Sequence, residues 1–166
     1  MKIIIEGCDG TGKTTLAKIL ANEYGLDYCH CTASDPGDYD FYLNTARKDN
    51  IVWDRHTIGE LIYPKVFNRS AQISPEDARL ALAYAREQGA MVFVLTEKLD
   101  IIQERLKKRG NEDERIMNNL QFINDSFLFY AREFEIPVIN TSDLLIRDIF
   151  GLIKNYPNMR FIHGGK

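Results

Sequence analysis

The stretch GCDGTGKTT at residues 7–15 sets three glycines within six positions and follows them with a lysine and two threonines. Glycine gives up more backbone entropy on folding than any other residue. A cluster of them marks a place where the chain needs conformations or close approaches that a Cβ would block. Gly7, Gly12, Lys13 and Thr14 fit the pattern G-x-x-x-x-G-K-[ST]. KIIIE at 2–6 is an apolar, β-branched run that reads as a buried strand. From Thr14 to Tyr24, Leu16, Ile19 and Leu20 recur at helical spacing, and Gly25 stops the helix. Strand, loop and helix in that order are the context the pattern requires. In it the loop N–H groups turn inward on phosphate, and the helix adds the positive end of its dipole. Lys13 then reaches the β- and γ-phosphates, and the Thr14 hydroxyl ligates Mg²⁺. The loop residues Gly7, Cys8, Asp9, Gly10, Thr11 and Gly12, with Lys13, Thr14 and Thr15 behind them, form the expected ATP-binding element.

Outward from the loop, strands and helices alternate. DYCHC at 27–31 reads as a second strand, SDPGD as a loop, residues 39–49 as a weak helix and NIVWD at 50–54 as a third strand. SPED at 74–77 predicts a helix start: Ser74 caps, Pro75 suits the first turn, and two acids favour the positive dipole end. That helix is predicted to reach Gln88, with MVFVL at 91–95 as a fourth strand. A long helical zone follows, broken near Gly110 and Asn111. IPVIN at 136–140 is a fifth strand, and 143–155 a last helix. Such alternation implies an α/β fold: a parallel sheet with helices on both faces, a three-layer sandwich in a single domain over 1–166. Ligands in these sheets lie beyond the carboxyl ends of the strands. Residues 7–14, Asp35, and Asp54 with Arg55 all follow strands.

The chain has 166 residues, 45 % apolar, with a net charge of −3 and no long basic run, which argues against a duplex nucleic-acid binder. No apolar stretch approaches a membrane span. Three cysteines without a CxxC pair point to a reduced, cytoplasmic setting. CHC at 29–31 reads as part of a strand rather than a metal site, because the other ligands of a zinc site are missing. The base-reading N/T-K-x-D of GTPase switches is absent, and the acidic third strand ends WDRH, not Asp-Glu as in motor ATPases.

Several ordered motifs together resemble the thymidylate kinase family. IEGCDGTGKTT is similar to that family's strand and loop, with aspartate at the loop's third position. DPG at 35–37 resembles its Glu-Pro-Gly, and DRH at 54–56 its Asp-Arg-aromatic motif. Tyr63 stands nine residues after Asp54, and RLKKRGNEDER at 105–115 resembles its arginine-rich lid with one residue inserted. The resemblance implies a P-loop kinase fold and ATP- and Mg²⁺-dependent transfer to a deoxynucleoside monophosphate, with a homodimer as the expected assembly. Asp9 would hold the acceptor sugar, and Arg55 its phosphate. Asp54 would organise Mg²⁺ together with Thr14. Tyr63 would fill the ribose 2′ position, and Asp35 would join the acceptor site. Lys13, Arg55, Arg105, Arg109 and Arg115 would surround the transferring group. The family's base-reading phenylalanine and arginine have no match at their spacing among Phe41, Tyr42 and Arg47. dTMP is the first expectation, and dUMP or several deoxynucleotides stay open. A deoxynucleoside kinase, with Asp35 as base, and a nucleotide-binding module without transfer activity are the alternatives.

Independently of any family, phosphoryl transfer asks for positioning and charge neutralisation. Five of the eleven residues from 105 to 115 are Lys or Arg, and Arg105 and Arg109 share a helix face. The competing reading is a solvated charged face balanced by Glu112, Asp113 and Glu114.

Overall fold

The computed structural model describes residues 1–110, 113–142 and 146–156. Asn111 and Glu112 of the expected lid, and residues 143–145 of the expected last helix, lie outside them. Five strands form one sheet: β1 (Lys2–Gly7), β2 (Asp27–His30), β3 (Ile51–Asp54), β4 (Ala90–Thr96) and β5 (Val138–Asn140). Their order is β2-β3-β1-β4-β5, and every pairing is parallel. The chain winds to one side of β1 through β2 and β3, then to the other through β4 and β5. The loop after β1 therefore opens at the reversal of the sheet, where ligands of such folds bind.

Eight helices are described: α1 (Lys13–Tyr24), α2 (Tyr39–Ala46), α3 (Thr57–Val66), α4 (Pro75–Glu87), α5 (Leu99–Arg109), α6 (Glu114–Asn118), α7 (Leu120–Glu133) and α8 (Ile146–Asn155). Strand β1 is buried along its whole length, as a central parallel strand must be. Its isoleucines alternate between two cores. Ile3 and Ile5 pack with Leu16 and Leu20 of α1 and with Ile149 and Ile153 of α8. Ile4 faces the larger core, shared with Ile58 and Ile62 of α3, Leu82 of α4 and Phe127 of α7. These are the three expected layers.

The start of α4 follows its sequence signal. Ser74 Oγ accepts the Asp77 N–H at 3.1 Å, and Pro75 occupies the first turn. Helix α3 carried no such signal. Its N-cap makes no side-chain bond, Pro64 lies inside it, and Thr57, Ile58, Gly59, Leu61, Ile62 and Tyr63 are all buried. A helix buried nearly all round has no amphipathic period to read.

Candidate active site

Gly7 shows what the opening glycines are for. Its φ is +140°, and a Cβ there would stand 2.3 Å from the Leu95 carbonyl oxygen of β4. Gly10 is similar, with φ +83° and a Cβ position 2.9 Å from Ile102 of α5. The loop is thus pressed between two elements while its backbone runs through left-handed conformations. Helix α1 begins behind it with no side-chain cap, so its first-turn N–H groups remain for a ligand. Lys13 is buried, and its Nζ donates to the Cys8 carbonyl at 2.7 Å. Burial, with Arg55 nearby, pulls the Lys13 ammonium down to about 8.

β3 delivers Asp54 and Arg55 beside the loop. Asp54 Oδ2 accepts the Thr14 hydroxyl at 2.6 Å and the Tyr28 hydroxyl at 3.0 Å, and His30 Nδ1 lies 3.0 Å away. Asp54 Oδ1 is buried and has no partner among the described residues. A hydroxyl and a carboxylate side by side, with one oxygen unspent, are the hard oxygen donors Mg²⁺ takes beside water and phosphate, so these residues fit the ion. Among the described residues no group of three or more His, Cys, Asp or Glu could hold a metal. Cys29 and His30 lie in β2 with Cys31 directly after it, and all three cysteines are free thiols.

Arg55 adopts φ 75°, left-handed for a residue with a Cβ, and its N–H still bonds the Ile5 carbonyl at 2.9 Å. Such strain concentrates at functional positions. The turn aims its guanidinium at the loop, where it pairs with Asp9 and lies 4.9 Å from the Tyr63 ring. The Tyr63 hydroxyl donates to the other Asp9 oxygen at 2.8 Å. Burial by itself would raise the Asp9 carboxyl. The Arg55 and Lys13 cations and the Tyr63 hydrogen bond outweigh it and hold Asp9 below its ordinary value.

Two cavities flank the loop. The first, of about 310 Å³, is lined by Asp9, Arg55, His56, Glu60, Tyr63 and Phe67, with Arg69, Arg109, Asp113 and Ile116 among its other walls. The second, of about 490 Å³, lies against Gly10, Thr11, Gly12, Thr15 and the end of α5, and reaches Thr141 and Ile149. Arg109 lines both.

The other expected residues divide. Arg105 lines the second cavity but is tied down, donating to the Gly10 carbonyl and to Glu97 Oε2, both at 3.2 Å. It braces α5 against the loop. Arg115 enters neither cavity: its guanidinium forks onto Asp113 at 2.9 and 2.6 Å and stacks 4.6 Å from the Phe67 ring. Asp35 does not line the first cavity either. Its Oδ2 accepts the Thr32 N–H at 2.6 Å and the Thr32 hydroxyl at 3.1 Å, so it closes its own turn.

Sequence reasoning passed over two buried carboxylates. Glu6 accepts the Ile58 N–H at 2.7 Å, its second oxygen has no partner among the described residues, and burial lifts it to about 7. Glu97 gathers Ser142 Oγ at 2.6 Å, Thr141 Oγ1 at 3.0 Å and Arg105, joining the ends of β4 and β5. The only sequence signal for Glu6 was its oddity, an acid at the end of an apolar strand.

A five-stranded parallel sheet with the lysine-bearing loop after its first strand and helices on both faces defines a P-loop kinase fold. The family described as AAA domain matches residues 3–122, and the chain belongs to it. A crystal structure of YorR protein from Bacillus subtilis, in complex with phosphorylated GDP, superposes with a TM-score of 0.78 at 21 % identity, covering 96 % of this chain and 99 % of that one. A protein of Pyrococcus abyssi named "Putative adenylate kinase" is 27 % identical, over 93 % of this chain and 85 % of its own length. Cytidylate kinase 2 of Borreliella afzelii is 24 % identical, over 93 % of this chain and 95 % of its own. The relatives' names support a nucleotide kinase at large rather than thymidylate in particular.

Proposed function

We propose that the protein transfers the γ-phosphoryl group of ATP to a deoxynucleoside monophosphate, with dTMP as the first acceptor to test. The observation that carries this reading is the pair of cavities on either side of the loop with Arg109 on the border of both. The donor lies along the second cavity with its phosphates on the loop N–H groups, Lys13 and the start of α1. The acceptor lies in the first, its phosphate on Arg55 and Arg109, its sugar against Asp9 and Tyr63. Thr14 and Asp54 would hold Mg²⁺, whose chemistry at this place is neutralisation of charge on the donor phosphates. In the transfer an acceptor phosphate oxygen forms the new P–O bond as the bond to ADP breaks, and ADP leaves with the electron pair.

The acceptor oxygen decides between phosphate and hydroxyl. A nucleoside 5′-OH must lose a proton to a base, whereas a phosphate with a second pKa near ~6 is already deprotonated at neutral pH. All three carboxylates that line the first cavity among the described residues are engaged by a cation: Asp9 by Arg55, Glu60 by Arg69, and Asp113 by Arg115. Asp35 is spent on its turn. No described carboxylate there stands free to act as base, which favours a monophosphate acceptor.

The reading includes a cytoplasmic, homodimeric protein. In its support, Phe122 and Phe129 lie exposed seven residues apart on α7, and no helix among the described residues is long and apolar enough to cross a membrane. Sedimentation velocity reads the assembly. ADP release with ATP, Mg²⁺ and a panel of deoxynucleosides and their monophosphates tests the activity. ADP with dTMP and other monophosphates is expected. ADP with nucleosides alone would make the protein a deoxynucleoside kinase, and none with any acceptor would leave a nucleotide-binding module.

A further inference from the structure

We infer that Arg69, clamped by Glu60, reads the acceptor base and selects bases with a ring carbonyl on the edge that meets it, the 4-oxopyrimidines and 6-oxopurines. Bases with an amino group there are disfavoured. The inference rests on the first cavity being the acceptor site.

Arg69 and Glu60 line the same cavity as Arg55 and Asp9 but bond to a different part of the chain. Arg55 and Arg109 supply the cations for a phosphate, and Asp9 with Tyr63 the wall for a sugar. The part left for a base is bordered by Phe67, Glu60 and Arg69.

Glu60 is boxed in, its side chain 10 % exposed. Its Oε1 accepts Arg69 NH1 at 2.6 Å and the Gln72 N–H at 3.0 Å, and its Oε2 accepts Arg69 NH2 at 2.7 Å. Gly37 lies beside it, where a Cβ would make ordinary contact with its carboxyl carbon at 3.5 Å. The carboxylate thus fixes the guanidinium plane through a two-pronged pair. Of the five N–H groups of Arg69, two go to Glu60 and one, at 3.3 Å, to the Ser70 carbonyl. Among the described residues nothing takes the second NH2 proton or the Nε–H, on a side chain one-third exposed. What Arg69 offers a ligand is therefore two donors and no acceptor, and Glu60 spends three of its roughly four lone-pair sites on the clamp. A base carbonyl satisfies such an edge. A base amino group meets it donor to donor, and a site built to donate rejects a partner that cannot accept.

The test uses the full chain with ATP and dTMP, dUMP, dGMP, dCMP and dAMP, and the five matching nucleosides. A planar arginine pairing with a base edge discriminates by about 10- to 100-fold. kcat/KM for dTMP, dUMP and dGMP is expected to exceed that for dCMP and dAMP by that factor. Arg69→Met is expected to close the gap while the KM for ATP holds. Arg69→Lys keeps a cation on Glu60 without the planar pair of donors and narrows the gap with the fold intact, so it carries the test if the methionine variant unfolds. A wild type that prefers dCMP or dAMP overturns the inference. So does a uniform loss over all five bases in both variants, which would make Arg69 a structural strut. If only nucleosides are phosphorylated, the monophosphate reading fails while the base order among nucleosides still judges Arg69. If nothing is phosphorylated, dissociation constants of the five monophosphates by calorimetry judge it in the same way.

Discussion

Replacing Glu6 by glutamine should make the protein more stable at neutral pH relative to the effect of the same change in acid. Glu6 is fully buried, and its carboxyl is raised from 4.5 to about 7, chiefly by desolvation. The folded state therefore holds a proton that the unfolded state releases between those values. The stability of the protonated form is fully present below pH 4.5 and is lost as pH rises through 7. One pKa unit is worth about 1.4 kcal/mol, so the loss amounts to about 3 kcal/mol. Glutamine copies the protonated acid: its oxygen can still accept the Ile58 N–H, and its amide sits where Oε2 has no partner among the described residues. Any cost of that amide is the same at every pH. His56 works in the opposite direction. It is buried, and desolvation lowers it from 6.5 to about 3, so its contribution is complete above 6.5 and fades as pH falls toward 3. Between pH 4.5 and 6.5 the two slopes cancel in the wild type. In Glu6→Gln only the His56 slope remains, and stability should climb by about 1.4 kcal/mol per pH unit across that window. Urea unfolding from pH 4.5 to 8, wild type against variant, measures the difference directly. Two curves that run parallel would refute the reasoning, since Glu6 would then ionise alike in both states.

Lys13→Ala should lower turnover about 100- to 1,000-fold, and in the wild type kcat/KM for ATP should decline as pH rises through about 8, where Lys13 loses its charge; a profile flat to pH 10 removes Lys13 from the donor site. Arg109→Ala should cut kcat by about 100-fold while the ATP dissociation constant moves less than about threefold, because charge builds up between the cavities only during transfer. Affinity that collapses with turnover intact would assign Arg109 to ground-state binding. Gly7→Ala should lower Tm by about 5–10 °C, since strained φ and contact with the Leu95 carbonyl both oppose a Cβ. A melting point within about 2 °C of wild type would show that β1 and β4 can separate freely at the loop.

The sheet was legible because parallel strands buried on both faces leave continuous apolar runs, as in KIIIE and MVFVL. Helix α4 was legible from Ser74 and Pro75. Helix α3 was not, because Pro64 and a nearly all-buried surface erase both the cap and the period. The site shows the same division. Thr14 with Asp54, and Asp9 with Arg55 and Tyr63, lie within bonding distance, a grouping that the sequence suggested through the family resemblance and not through spacing. Arg115 and Asp35 found partners two and three residues away, and short-range bonds of that kind compete with any long-range role. Glu6 finds its Ile58 partner across 52 residues, and Glu97 bonds Ser142 across 45. No periodicity announces such distances. The Glu60–Arg69 clamp spans nine residues, but its meaning depends on the cavity wall it forms.

Arg109 borders both cavities, and a shared cation has a thermodynamic consequence. Its field is felt by whichever anion arrives first, and the second anion then meets a guanidinium already positioned and partly neutralised. The factor by which one ligand alters the affinity of the other must be the same in both directions. A donor that tightens acceptor binding tenfold is itself tightened tenfold by the acceptor. An inhibitor confined to one cavity will accordingly have no single dissociation constant, only one for each state of its neighbour. A molecule that fills both at once collects the coupling as well as the two separate affinities.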